Sequence, residues 1–117
     1  MSADTPLPFA RDAVIALGDS PWADDVPGIK ARETHVDGRR WAIVEYAPGA
    51  RREEYCTDGH AGYVLEGEIE YEFADGDPPM AVSAGDAFTL ATGRGHRGRN
   101  TRDGSSSRLF LIDDPDA

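Results

Sequence analysis

From Ile29 to Ile112 the chain is cut every few residues by turns rich in glycine, proline or aspartate, and this spacing leaves no room for a long helix. The breaks fall at Asp37-Gly38, Pro48-Gly49, Asp58-Gly59, Glu66-Gly67, residues 74–79, Gly93 with Gly95, and residues 104–107. What lies between them is short and suited to strands. Residues 68–73 alternate without a fault: Ile69, Tyr71 and Phe73 oppose Glu68, Glu70 and Glu72, the pattern of a strand with one dry and one wet face. Asp37-Gly38 joins residues 29–36 to 41–46 and is the strongest short-range hairpin signal in the chain. Further strands are expected over 51–56, from His60 through Leu65, and over 80–83, 87–91 and 108–112, with another starting at His96. Many short strands with turns at regular intervals specify an all-β sandwich or barrel.

The 117 residues suffice for one domain and one core. Residues 1–28 carry Pro6, Pro8, Pro21 and Pro27, which interrupt regular structure. They read as an N-terminal arm, with residues 9–17 forming one short helix or edge strand and Trp22 anchoring the arm to the wall of a single barrel domain, 29–117. A net charge of −10 sets the long-range field against nucleic acid and anionic membranes as partners. No apolar run approaches the roughly 20 residues of a membrane span, and the start shows no secretory signal pattern, so a cytoplasmic protein is expected. The one cysteine excludes an internal disulfide and leaves Cys56 as an interior hydrophobe, a metal ligand or a reactive thiol.

The stretch from Gly85 to Asn100 reads as strand, glycine turn and strand, and a hairpin is expected of it. Beyond the turn, alternation sends His96, Gly98 and Asn100 to one face and Arg97 and Arg99 to the other. One face is small with a single imidazole; the other is cationic and balances the abundant carboxylates. The spacing of Gly85, Gly93, His96 and Asn100 resembles the second motif of the cupin family, with Ala91 where that motif has proline. Upstream, His60 and Gly67 are spaced like the glutamate and glycine that end the first cupin motif, with His60 in the glutamate's place. The resemblance spans roughly residues 29–112 and implies an antiparallel jelly-roll β-barrel. It leaves the activity open, since cupins include isomerases, epimerases, dioxygenases, decarboxylases, sugar-binding regulators and storage proteins.

Metal-holding cupins use a His-x-His pair, a glutamate and a second-motif histidine, and the resemblance carries these roles onto Glu54, Cys56, His60 and His96. Residues two apart on a strand share a face, so Glu54 and Cys56 can both point inward; the longer spacer used by some relatives would place Glu53 and Tyr55 there instead. Cysteine and histidine suit zinc or iron, and nickel and manganese complete the divalent candidates. Arg94 at the turn, with Tyr63, Trp41 and Phe88, is a candidate lining for a substrate pocket. His35, beside the Asp37-Gly38 turn, is expected to be exposed. Two functions are compatible with this set: a metal-dependent enzyme, such as an oxygenase or isomerase, acting on a small organic substrate, or a metal-free module binding a sugar or carboxylate. A homodimer is expected, with the residues before Gly28 near its interface, because a bare edge strand invites association.

Overall fold

The computed structural model describes Phe9 and residues 11–113. Among these residues nine strands form: β1 (Ala23–Val26), β2 (Ile29–Val36), β3 (Arg39–Tyr46), β4 (His60–Glu66), β5 (Glu68–Phe73), β6 (Met80–Ser83), β7 (Ala87–Leu90), β8 (His96–Arg99) and β9 (Ser107–Asp113). The only helical element among them is a single 3-10 turn, Leu17–Asp19. Every pairing is antiparallel, in a six-stranded sheet ordered β1-β2-β3-β9-β4-β7 and a three-stranded sheet ordered β6-β5-β8. This is the jelly-roll architecture expected from the sequence, with the two sheets facing each other rather than closing into a continuous hydrogen-bonded barrel. No helix among the described residues is long and apolar enough to cross a membrane.

The β2–β3 hairpin forms as its turn residues dictate. Asp37 and Gly38 both take positive φ (53° and 78°), the requirement of the tight turn whose twist matches its strands, and pairing runs unbroken from Ile29↔Tyr46 to Val36↔Arg39. The expected hairpin between β7 and β8 does not form. β7 pairs with β4 in the large sheet and β8 with β5 in the small one, so the turn around Gly93 passes the chain between layers. The edge of β8 that β7 would need is occupied: Cys56 and His96 exchange backbone hydrogen bonds (2.8 and 2.9 Å), Arg51 bridges Arg99, and the Gly93 N–H donates to the Thr57 carbonyl. Residues 51–56, expected as a strand, make only those two isolated bridges and bend at residues 53 and 54.

The core fills the space between the layers. Ile29, Ala42, Val44, Val64, Leu109, Leu111, Phe88 and Leu90 from the large sheet meet Ile69, Tyr71 and Val82 from the small one. Full burial of each larger apolar side chain contributes about 1.5–3 kcal/mol. Strand parity then assigns the remaining side chains. On β3, alternation buries Ala42, Val44 and Tyr46 and turns Trp41, Ile43 and Glu45 outward; on β4 it buries Gly62 and Val64 and exposes Tyr63 and Leu65. The stretch before Gly28 contributes β1, the edge strand of the large sheet, and Trp22 lies beneath the cations of Lys30, Arg32 and Arg108 at 5.0–5.7 Å. Arg32 ties down the preceding turn by donating to the Gly18 and Ser20 carbonyls. Residues 1–8 and 10 of the expected arm, and 114–117 at the other end, lie outside the described residues.

Candidate metal centre

Three elements bring their first or last residues to one point between the layers. His60 opens β4, His96 opens β8, and Cys56 is held to His96 by the paired backbone bonds just described. The imidazole centroids lie 5.0 Å apart, edge to face. The Cys56 Sγ is 4.0 Å from the His60 Nε2, and one ligand atom from each of Cys56, His60 and His96 lies within 4.8 Å of the other two.

Hydrogen bonds settle which ring nitrogens are free. The His60 Nδ1 is 2.8 Å from the Asp113 Oδ1, and the His96 Nδ1 is 3.3 Å from the Arg94 carbonyl oxygen. A carbonyl and an ionised carboxylate only accept, so each Nδ1 carries a proton, and in the neutral form of each ring Nε2 is the nitrogen with a free lone pair. Asp113 is itself buried and pairs through its other oxygen with Arg40 at 3.6 Å. Bonds of about 2.0–2.3 Å place tetrahedral ligand atoms about 3.3–3.8 Å apart, so the trio needs only about 1 Å of side-chain adjustment to fit a first-row metal. The donor types, two imidazole nitrogens and a thiol sulfur, suit such an ion.

Burial is the largest single influence on His96, Cys56 and Asp113. It lowers the His96 pKa, with the neighbouring His60 charge adding to the effect, and so keeps this imidazole in its ligating form. Burial also raises the Cys56 thiol, opposed by a hydrogen bond from the Asp58 N–H to the sulfur at 3.4 Å. Burial acts to raise the Asp113 carboxyl too, but the His60 hydrogen bond and the His60 and Arg40 charges outweigh it and hold the group below its ordinary value.

A cavity of about 430 Å3 opens beside the trio, with Val44, Tyr46, Tyr71 and Leu111 among its walls. Glu54 lines it but is exposed and stands outside the cluster of three. Because the chain bends at residues 53 and 54, Glu54 and Tyr55 both line the cavity, and neither strict alternation holds. The four residues considered for a pocket lie elsewhere. Arg94 is clasped by Asp75 and Asp77 (2.7 and 2.6 Å) over the ring of Phe73. Trp41 stacks between Phe9 and Phe110 on the outer face, Tyr63 is 42% exposed on that face, and Phe88 packs in the core 5.4 Å from Tyr71. His35 is exposed. Arg97 and Arg99 pair with Glu72 and Glu70 across the β8–β5 ladder, away from His96.

Sequence reasoning missed Asp113, Arg52 and Asp25 at this site. Asp113 had a readable signal: Ser107, Leu109, Leu111 and Asp113 continue one buried face of β9, so a carboxylate ends an otherwise dry stripe. Arg52 had none, because both faces of 51–56 are mixed.

Facing antiparallel sheets with two imidazoles and a thiol converging beside an interior cavity define a jelly-roll protein whose His/Cys cluster has the donor types to hold a metal. The sequence profile of the family described as "Cupin domain" matches residues 42–113, and the chain belongs to that family. No curated protein matches it by sequence. Similar solved structures include KdgF from Halomonas sp. (21% identity, 89% of this chain and 94% of that one, TM-score 0.67). The polyketide cyclase RemF from Streptomyces resistomycificus is also similar (18% identity, 88% and 79%, TM-score 0.69). So is oxalate decarboxylase from Bacillus subtilis, described with Mn(II) centres (20% identity, 84% and 28%, TM-score 0.69). At these identities the likeness is one of fold.

Proposed function

We propose that Cys56, His60 and His96 bind one divalent metal ion and that the adjoining cavity receives a small organic substrate, making this chain a small metal-dependent enzyme. The observation that carries the reading is the convergence of one thiol and two imidazole lone pairs within 4.8 Å, beside a cavity large enough for a small molecule. Three protein ligands leave coordination positions for exchange, the arrangement of a catalytic rather than a structural site. Among zinc, iron, nickel and manganese, the thiol favours zinc or iron, because manganese prefers oxygen donors. A bound ion would supply Lewis acidity toward a substrate oxygen.

The protein's own residues do the rest. Asp113 keeps the His60 proton on Nδ1 and its Nε2 lone pair toward the cluster; the Arg94 carbonyl does the same for His96. The thiol of Cys56 must release its proton to ligate, and the Asp58 N–H at the sulfur favours the thiolate that results.

Cobalt(II) titration of tag-free protein, with elemental analysis of the purified chain, tests this. Cobalt should bind one per chain and give the charge-transfer absorption of a cobalt–thiolate bond. Cys56→Ser should remove that absorption, His96→Ala should abolish binding, and His60→Ala should weaken it greatly. Wild-type protein that takes up neither cobalt nor zinc, iron, nickel or manganese would sink the reading and leave a metal-free binding module as the better account.

A further inference from the structure

Arg52 and Tyr71 each present to the cavity a hydrogen-bond donor with no acceptor among the described residues. The first belongs to Arg52, whose side chain is only 26% exposed. Its backbone N–H donates to the Gly98 carbonyl, its Nε donates to the Tyr46 hydroxyl at 3.1 Å, and its Nη1 pairs with the Asp25 Oδ2 at 2.8 Å. These contacts fix the guanidinium, and Nη2 is left with no bond to a described residue. The cavity's other arginine, Arg40, faces carboxylates on two sides, Glu33 at 3.0 Å and Asp113 at 3.6 Å.

The second donor is Tyr71. This residue is 3% exposed, lines the cavity, and its hydroxyl bonds to no described residue. Among the described residues no fully buried side-chain oxygen or nitrogen lacks a partner, so that hydroxyl keeps some open surface, on a residue that lines the cavity. A phenol hydroxyl is a hydrogen-bond donor near neutral pH. Both residues line the cavity together with Cys56, His60 and His96, and the Tyr71 ring meets the His96 ring edge to face at 6.0 Å, which sets the donors beside the trio.

We propose that Arg52 and Tyr71 form the anchoring subsite for a small monocarboxylate, such as a 2-hydroxy or 2-oxo acid, whose neighbouring oxygen faces Cys56, His60 and His96. A donor pair containing a guanidinium calls for an anionic acceptor, and a carboxylate offers one oxygen to each donor. A single negative charge suits the site better than a phosphate dianion, because Asp25 already offsets part of the Arg52 charge and Glu54 and Asp58 add carboxylates to the lining. The inference rests on the metal-centre reading only for what the reacting end of the ligand meets; the anchor itself exists without metal.

Calorimetric titration of chelator-stripped and zinc-loaded protein with glycolate, glycolamide and inorganic phosphate tests it. Glycolate should bind both forms, and glycolamide, the same shape without the charge, should bind at least about tenfold more weakly. Tyr71→Phe removes only a hydroxyl without a partner among the described residues, so its fold should be untouched while glycolate affinity falls about three- to tenfold. Arg52→Met, checked for folding by its circular dichroism and melting curve, should lose at least about tenfold, with Arg52→Lys between. Equal affinity for glycolamide, tighter binding of phosphate, or an unchanged Tyr71→Phe protein would overturn the assignment. Cobalt uptake without glycolate selectivity rejects this subsite alone, and glycolate selectivity without cobalt uptake rejects the metal centre alone.

Discussion

Asp113 determines which nitrogen of His60 faces the cluster. Its carboxylate accepts the Nδ1 proton at 2.8 Å and is steadied from behind by Arg40, so replacing it should act through the imidazole rather than through packing. Asp113→Ala is expected to weaken metal affinity about 10–100-fold, whereas Asp113→Asn, which can still accept the N–H through its amide oxygen, should recover part of the loss. Nitrogen-15 chemical shifts of the metal-free imidazole give an independent check: the alanine variant should mix the two tautomers, and an unmixed His60 would show that Asp113 does not orient it. Glu54→Gln should leave metal affinity nearly unchanged, because Glu54 stands apart from the trio; a loss well beyond the roughly 10–100-fold of an outer-shell partner would put its carboxylate among the ligands. Cupin-like spacing brought His60, His96 and Cys56 into view from the sequence. Asp113, Arg52 and Tyr71 stayed out of view because their roles depend on partners on other strands.

At the level of elements, the short connections are held by side chains from within the strands and turns themselves. Asn100, just past β8, is 2% exposed and shares its amide protons among the Tyr46, Ala47 and Ser105 carbonyls, while its oxygen accepts from the Arg102 N–H and the Ser107 hydroxyl. Asn100→Ala should therefore cost about 3–5 kcal/mol, since it strands several buried groups at once; a urea midpoint showing a loss under about 1 kcal/mol would contradict this. A second test lies on the outer face of β3. The Glu45 carboxylate accepts from Arg108 on β9 at 2.6 Å and lies 3.5 Å from Lys30 on β2, its register partners on either side. The Arg108 hydrogen bond leads in lowering its pKa below the ordinary 4.5, against a smaller opposing effect of burial and with Lys30 assisting. A depressed carboxylate stabilises the fold above its unfolded pKa and loses that contribution as the pH falls through the folded value. Glu45→Gln should accordingly cost about 0.5–1 kcal/mol near neutrality, less in high salt because both cations are nearly half exposed, and nothing once the pH is well below 4.

At the scale of the molecule, the outer face of the large sheet is the surface most suited to a second copy. With a net charge of −10 two chains repel at long range, and the stripe formed by Trp41, Ile43, Tyr63, Leu65, Phe110 and Ile112 is uncharged. Tyr63 and Leu65 are 42% and 46% exposed there, and Phe9 from the N-terminal stretch already stacks on Trp41. The expected homodimer should form through this face and appear by light scattering at micromolar concentrations. Leu65→Asp should turn it monomeric without loss of fold, and a wild-type monomer would remove the proposal.

Within a strand, alternation is a property of the local chain, so the sequence alone determined which faces of β5 and β8 turn inward, where the Asp37-Gly38 reversal falls, and that the fold is an antiparallel β architecture. The same alternation, joined to a family spacing, placed His60 and His96 on inward faces. Which sheet a strand joins is a competition among distant segments for backbone hydrogen bonds, and only the tertiary structure decided it. Residues 51–56 take the edge of β8, so β7 and β8 part company across the turn that looked like a hairpin. The same contact carries Cys56 to His96, and the closure of β9 against β4 carries Asp113 to His60. No local pattern encodes either meeting, because each joins residues far apart in the chain through bonds that exist only once both sheets have formed.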